Sequence, residues 1–405
     1  MTSPLNSGPG SLAQAILDAN ANPGADQIVF SVSPVAVTYQ LPAITGVTAI
    51  DGTLAGGGKA TIQGNFLDCS RAFQFSNGST GSSVTAVIVN DFCESVRIDP
   101  GVSAVTVTAS TLSGTVFLAA ASDNVFRGNA MVAVEIIDGA RNQLFLNSIS
   151  NLLELLFSNA NRIGSVTEGN TIDRIRVQSS AGTIIEGNTM ARVNPAAFPA
   201  VSVSNANPPA ASGSTIRGNT ISGYTSGVTV FSANSTGITI TGNSISNVGI
   251  PIDLGANGPT PNDPAPDPDT GANNLQNFPI LTSAVLGPTQ FNVNGTLASI
   301  PLTTYRVELF SSPASDPEAR TFLGGLDVLT DATGNATFTF SGTTRPAAGE
   351  VITSTATNLT TGDTSEVGAA VAIQAVGLVP ALSSWALLAL ALSLCVVAAH
   401  FIVRI

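Results

Sequence analysis

Gly169-Asn170-Thr171-Ile172 recurs unchanged as Gly218-Asn219-Thr220-Ile221. Close variants are Gly187-Asn188-Thr189-Met190, Gly242-Asn243-Ser244-Ile245 and Gly128-Asn129-Ala130-Met131. Loosened to asparagine, any residue, apolar residue, the phrase also takes in Asn65, Asn90 and Asn147, with Ser110 standing in once. The intervals are then 25, 20, 19, 18, 23, 18, 31 and 24 residues. A repeat of that period on strand-forming residues marks a solenoid.

The flanking residues select the kind of solenoid. Segments such as Ser214-Thr215-Ile216-Arg217 and Gly237-Ile238-Thr239-Ile240 alternate with period two, which reads as strand. Gly before Asn supplies a corner where a left-handed backbone costs little. With one turn per repeat, equivalent residues stack at about 4.8 Å. The Ile, Leu and Val columns become the core, and Asn129, Asn147, Asn170, Asn188, Asn219 and Asn243 stack as an amide ladder. The expected fold is an all-β parallel β-helix over residues 31–255, with its asparagines structural.

Composition fits that surface. Only 10% of the 405 residues are charged, against about 25% in ordinary domains. A net charge of -12 opposes nucleic-acid binding, which needs cationic patches.

At the start, Ser11 with Gln14 forms a capping box, and Leu12, Ala15, Ile16 and Ala19 share a helix face. Residues 1–30 are therefore expected to cap the open end of the coil. The stretch Asn6-Ser7-Gly8-Pro9-Gly10-Ser11-Leu12-Ala13-Gln14-Ala15-Ile16 resembles the N-terminal segment of bacterial surface proteins with β-helix repeats, including the group named for a CSLREA motif. It departs at Asn6 and Ala13 and lacks the motif's Cys. The resemblance implies a right-handed, single-stranded, pectate-lyase-like solenoid displayed outside the cell. Residues 1–10 are polar and uncharged, so an export signal is expected upstream of them.

Residues 194–209 lengthen one repeat and hold Pro195, Pro199, Pro208 and Pro209. Proline does not sit inside a ladder, so this is a loop protruding from a corner. Cys69 and Cys93 follow Asn65 and Asn90 by four and three residues. A disulfide between adjacent coils and a pair of buried free thiols both fit that spacing. Residues 256–279, rich in Pro and Asp, read as a linker. Within it Asp263, Asp267 and Asp269 are candidate calcium ligands, since oxygens on alternate residues are what calcium takes; a solvated acidic linker is the alternative. Residues 280–375 alternate without the Asn phrase and suggest an immunoglobulin-like sandwich. They also resemble the domain that often follows such helices as a spacer or carbohydrate-contacting module.

Residues 385–403 are apolar but for Ser393 and His400. As a helix they would span about 28 Å, enough to cross a bilayer core, and Arg404 would place the C-terminus in the cytoplasm. Residues 376–405 are thus expected to be a transmembrane anchor. Val379-Pro380-Ala381-Leu382-Ser383-Ser384-Trp385 resembles the start of the IPTL type of C-terminal sorting signal. That likeness implies processing by an exosortase-type protease in a Gram-negative envelope, with Pro380, Trp385 and Arg404 as the marks of the signal. Val379, Ala381, Ser384 and the single arginine depart from it.

Catalytic chemistry is restricted. The one histidine, His400, lies in the apolar tail, so Ser-His-Asp and Cys-His systems lack a base. No Walker or dinucleotide loop is present, nor the acid pair or basic triplet of β-helical pectin hydrolases. Glu168 and Glu186 precede their asparagines by two residues and would stack about one coil apart, the separation of a retaining glycosidase's carboxylates. Arg217 would flank Glu186. A solvated structural pair is the competing reading. The expected function is a membrane-anchored surface protein for adhesion or matrix architecture, in contact with extracellular glycan. A polysaccharide lyase or hydrolase is the rival, favoured if one sheet shows a cleft of acids, aromatics and arginines.

Overall fold

The computed structural model describes residues 1–65, 69–205, 212–347 and 349–375. Residues 25–254 carry a parallel solenoid with three faces. Ten strands, from Ala25–Val29 to Thr239–Thr241, stack as the first face. The second and third faces join in one sheet of fifteen strands, because Ser148–Leu156, Thr171–Gln178, Thr220–Val230 and Ser244–Leu254 each run unbroken around a corner. The later coils matter most here: coil 5 (125–137), coil 6 (143–156), coil 7 (162–178), coil 8 (184–204), coil 9 (215–230) and coil 10 (239–254).

Register explains why the repeat tolerates uneven spacing. The inward column of the first face is Ile28, Ile50, Val84, Val107, Phe126, Leu144, Ile163, Ile185, Ile216 and Ile240, each paired with the next. All are buried. Burying each such side chain contributes about 1.5–3 kcal/mol, while slipping one residue would turn every one outward. Extra residues are therefore confined to corners, as at 164–169 and 192–200.

The corner before the second face is closed by amides. Asn129 Nδ2 donates to Asn147 Oδ1 (3.0 Å), and the pattern continues through Asn170, Asn188 and Asn219 to Asn243. Each carboxamide oxygen also accepts the backbone N–H of the coil before. Gly128, Gly187, Gly218 and Gly242 precede these asparagines with φ between 58° and 68°. A second ladder, absent from the sequence reading, closes the corner before the first face. There Asn124 Nδ2 donates to Asn142 Oδ1 (2.9 Å) and Asn142 Nδ2 to Asn161 Oδ1 (3.2 Å).

Both ends of the core are covered. The helix Leu12–Ala21 buries Leu12, Ile16 and Ala19 against the first coils. Only half of the expected capping box forms: Ser11 Oγ accepts Gln14 N–H (3.1 Å), but the Gln14 amide turns to Asp18 (2.7 Å). Cys69 and Cys93 form a disulfide between neighbouring coils.

At the far end sits a unit of seven strands, in the order Thr321–Leu329, Thr304–Pro313, Glu350–Asn358, Val371–Ala375, Ile280–Leu286, Phe291–Ala298, Asn335–Gly342. Its Phe310 and Ala319 enter the solenoid's own core. Its acids accept N–H groups of coil 10 and of the turn before it: Glu308 from Gly242 (2.8 Å), Glu318 from Val248 (2.9 Å), Glu366 from Leu254 (2.9 Å) and Asp363 from Gly237 (2.6 Å). Residues 256–279, read as a linker, are packed between the two units. Asn273 is buried and bonds both the N–H (2.9 Å) and the carbonyl (2.7 Å) of Ile238. Among the described residues no helix is long and apolar enough to cross a membrane; the expected span at 385–403, with Pro380, Trp385 and Arg404, lies outside them.

Candidate functional site

On the third face, side chains alternate between core and solvent, so one outward residue per coil forms a straight column. From coil 3 (residues 83–98) to coil 7 that column reads Arg97, Phe117, Glu135, Glu154 and Arg176, each in register with the next. Glu154 accepts from Arg176 (3.0 Å). The Arg97 guanidinium lies over the Phe117 ring, 4.7 Å from its centroid. Among the described residues Glu135 has no such partner, and its pKa is pushed up by burial first and then by the charges of Glu154 and Glu94.

Next to this column lies a proline-bearing corner loop of coil 8, residues 192–200; the strand Val201–Ser204 interrupts the longer loop expected at 194–209. Its Phe198 and Pro199 line a cleft of about 340 Å³ together with Leu152, Arg174, Arg176, Gln178 and Phe231. Phe198 is stacked beneath Arg174 (4.4 Å) and Arg192 (5.3 Å), with Tyr224 tilted beside it at 6.3 Å. Arg192 is held by Asp173 (2.5 Å), and the Tyr224 hydroxyl donates to the Asp173 carbonyl. Burial pushes the Tyr224 phenol up to about 12, so it stays a neutral donor.

Arg174 differs from its neighbours. Every other arginine of the coils meets a carboxylate within salt-bridge distance. Among the described residues Arg174 meets none, and its Nε is shielded from solvent without a hydrogen-bond partner. A guanidinium without a carboxylate can pair with an anion.

The sequence-derived candidates lie elsewhere. Arg162 and Ile163 align with Ile184 and Ile185, so the residues from Gly164 onward form a corner loop that carries Glu168 off the column. Glu168 is paired instead with Arg127, in coil 5. Glu186 is 3% exposed, clamped between Arg162 and Arg217 at 2.7 Å each. The expected Glu168–Glu186 stack is thus replaced by separate ion pairs, one at Glu168 and two at Glu186. Among the described residues the carboxylates in register on adjacent coils are Glu135 and Glu154. Their signal was a lone acid between apolar neighbours, Val134-Glu135-Ile136 and Leu153-Glu154-Leu155, 19 residues apart.

A second cluster lies at the junction of the two units. Ligand oxygens of Asp263, Asp267 and Asp269 converge within 4.8 Å of one another. Asp267 Oδ1 and Asp269 Oδ1 are shielded and unpartnered, while Asp267 Oδ2 accepts from the Ser299 hydroxyl. Burial foremost, opposed by the Ser299 bond, puts the Asp267 carboxyl at about 6. Oxygen donors of this kind fit calcium.

No family model matches the chain, and no curated protein matches it. Among solved structures it is similar to the crystal structure of a tailspike protein gp49 from Acinetobacter baumannii bacteriophage Fri1, a capsular polysaccharide depolymerase. The TM-score is 0.30 and the identity 11%, covering 84% of this chain and 69% of that one.

Proposed function

We propose that the protein binds an acidic polysaccharide along the third face of its solenoid, as an envelope-displayed adhesion or matrix component. The observation that carries this is Arg174, an arginine without a carboxylate in a cleft walled by aromatic and apolar side chains. Such a cleft supplies apolar contact for sugar faces and a charged group to fix orientation. The coil spacing of about 4.8 Å is also close to the advance of one pyranose in an extended glycan. Display outside the cell is supported by the disulfide, which persists in oxidising compartments; anchoring by residues 376–405 and sorting by an exosortase-type protease remain part of the proposal.

Titration with polygalacturonate and with neutral dextran tests it. Binding to the former alone, weakened at least about 10-fold by Arg174→Ala through loss of a charged hydrogen bond and unchanged by Arg141→Ala, is expected. Equal affinity of Arg174→Ala and the parent protein would refute it.

The convergence of Asp263, Asp267 and Asp269 supports a second reading, that calcium occupies this junction and locks the two units together. Saturating calcium should then raise the melting temperature, as any ligand of the native state does. Asp267→Asn should abolish the rise; no rise in the parent protein sinks the idea. We also read the seven-strand unit as immunoglobulin-like, supported by its last strand pairing parallel with its first and antiparallel with the one before.

A further inference from the structure

We propose that Glu135 and Glu154 cleave the bound glycan as a retaining pair, a step that rests on the binding reading above. The two residues are direct register partners on adjacent parallel strands of coils 5 and 6. Adjacent strands stand about 4.8 Å apart, near the 5–5.5 Å of retaining carboxylates and well short of the 6.5–9.5 Å that an inverting pair needs for its water. The pair adjoins the cleft: Leu152 precedes Glu154 by two residues on its strand, Arg176 is its partner in the next coil, and both line the wall. Arg174 pairs with Leu152, in the column beside the acids and two residues along the strand. A glycan that Arg174 holds at one edge and that runs along the axis therefore lies against both acids, with Phe117 one coil further on.

The two environments differ in the sense the chemistry requires. Glu154 is ion-paired with Arg176 at 3.0 Å. Glu135, without an arginine and facing the charges of Glu94 and Glu154, retains its proton to higher pH. Protonated Glu135 gives its proton to the glycosidic oxygen as the bond from that oxygen to the anomeric carbon breaks. Glu154 forms an ester to that carbon. Water, losing a proton to Glu135, then displaces Glu154 and regenerates both groups. Arg176 is a positioning residue.

The experiment incubates the full chain, with Glu135→Gln and Glu154→Gln, with polygalacturonate and with alginate. Binding, new reducing ends and the anomer first released are measured together, across pH. Expected are binding by all three proteins, cleavage by the parent with retained configuration and a bell-shaped pH profile, and loss of cleavage by about 10²-fold or more in each variant. Bound polymer that gains no reducing ends would overturn the inference and leave the binding reading intact. Variants that cleave like the parent would overturn it too. No binding of either polymer would refute both readings.

Discussion

Asn188 accepts from the backbone N–H and the Nδ2 of Asn170, and donates its own Nδ2 to Asn219 Oδ1 and to the Ile163 carbonyl. Asn188→Ala strands these buried partners together, so a loss of about 3 kcal/mol is expected in chemical denaturation. The second ladder offers a test of opposite sign. It stops at Asn161, whose Nδ2 has no partner, beneath the buried and equally unpartnered hydroxyl of Thr183. Asn161 and Thr183 precede register partners, so Thr183→Asn sets a carboxamide in line and should stabilise the protein by about 1 kcal/mol. A destabilising Thr183→Asn would mean that this corner leaves no room for the longer side chain. The first ladder was legible because its asparagines sit in a fixed phrase beside glycine. The second was not: Asn124, Asn142 and Asn161 follow Asp123, Arg141 and Ala160, residues held in left-handed conformation without glycine, so no phrase repeats.

Among elements, the join between coil 10 and the seven-strand unit is the one most sensitive to acidity. Burial raises the carboxyls of Glu308, Glu318 and Glu366, with Glu318 at about 7 from an ordinary 4.5. Folding favours their protonated forms. Stability from them is therefore full below the unfolded value of 4.5 and is lost as pH rises through about 7. Acids held low, such as Asp51 by the hydroxyl and N–H of Thr53, act oppositely and lose their contribution only below the ordinary range. Melting temperature should thus climb as pH falls from 8 to 5, and Glu318→Gln should flatten that slope; a parent protein equally stable at both ends would contradict this account. The disulfide closes a loop with a sequence separation of 24, and loop entropy predicts that Cys93→Ala costs about 3 kcal/mol. Composition disclosed the Pro/Asp-rich segment but not its packing, since proline density describes backbone stiffness and says nothing of what lies against it. Glu168 was misplaced for a related reason. The Gly-Asn phrase marks where a corner ends, while residues inserted before it shift whatever precedes.

For the whole molecule, the solenoid is a ruler and the third face is the side on which chemistry accumulates. The first face carries its buried acid, Glu186, between two arginines. The third sets two carboxylates, an unpaired guanidinium and aromatic rings within a few coils of one another, the guanidinium beside a proline-bearing loop. The repeat made the stacking readable; the site was hidden because its members are single outward residues from different coils, joined only by register. Hydrogen–deuterium exchange with and without polygalacturonate oligomers tests the central claim most directly. Protection confined to residues 134–137, 152–156, 174–178 and 200–204 is the predicted result. Protection on the first or second face instead, or none anywhere at saturating oligomer, would contradict it.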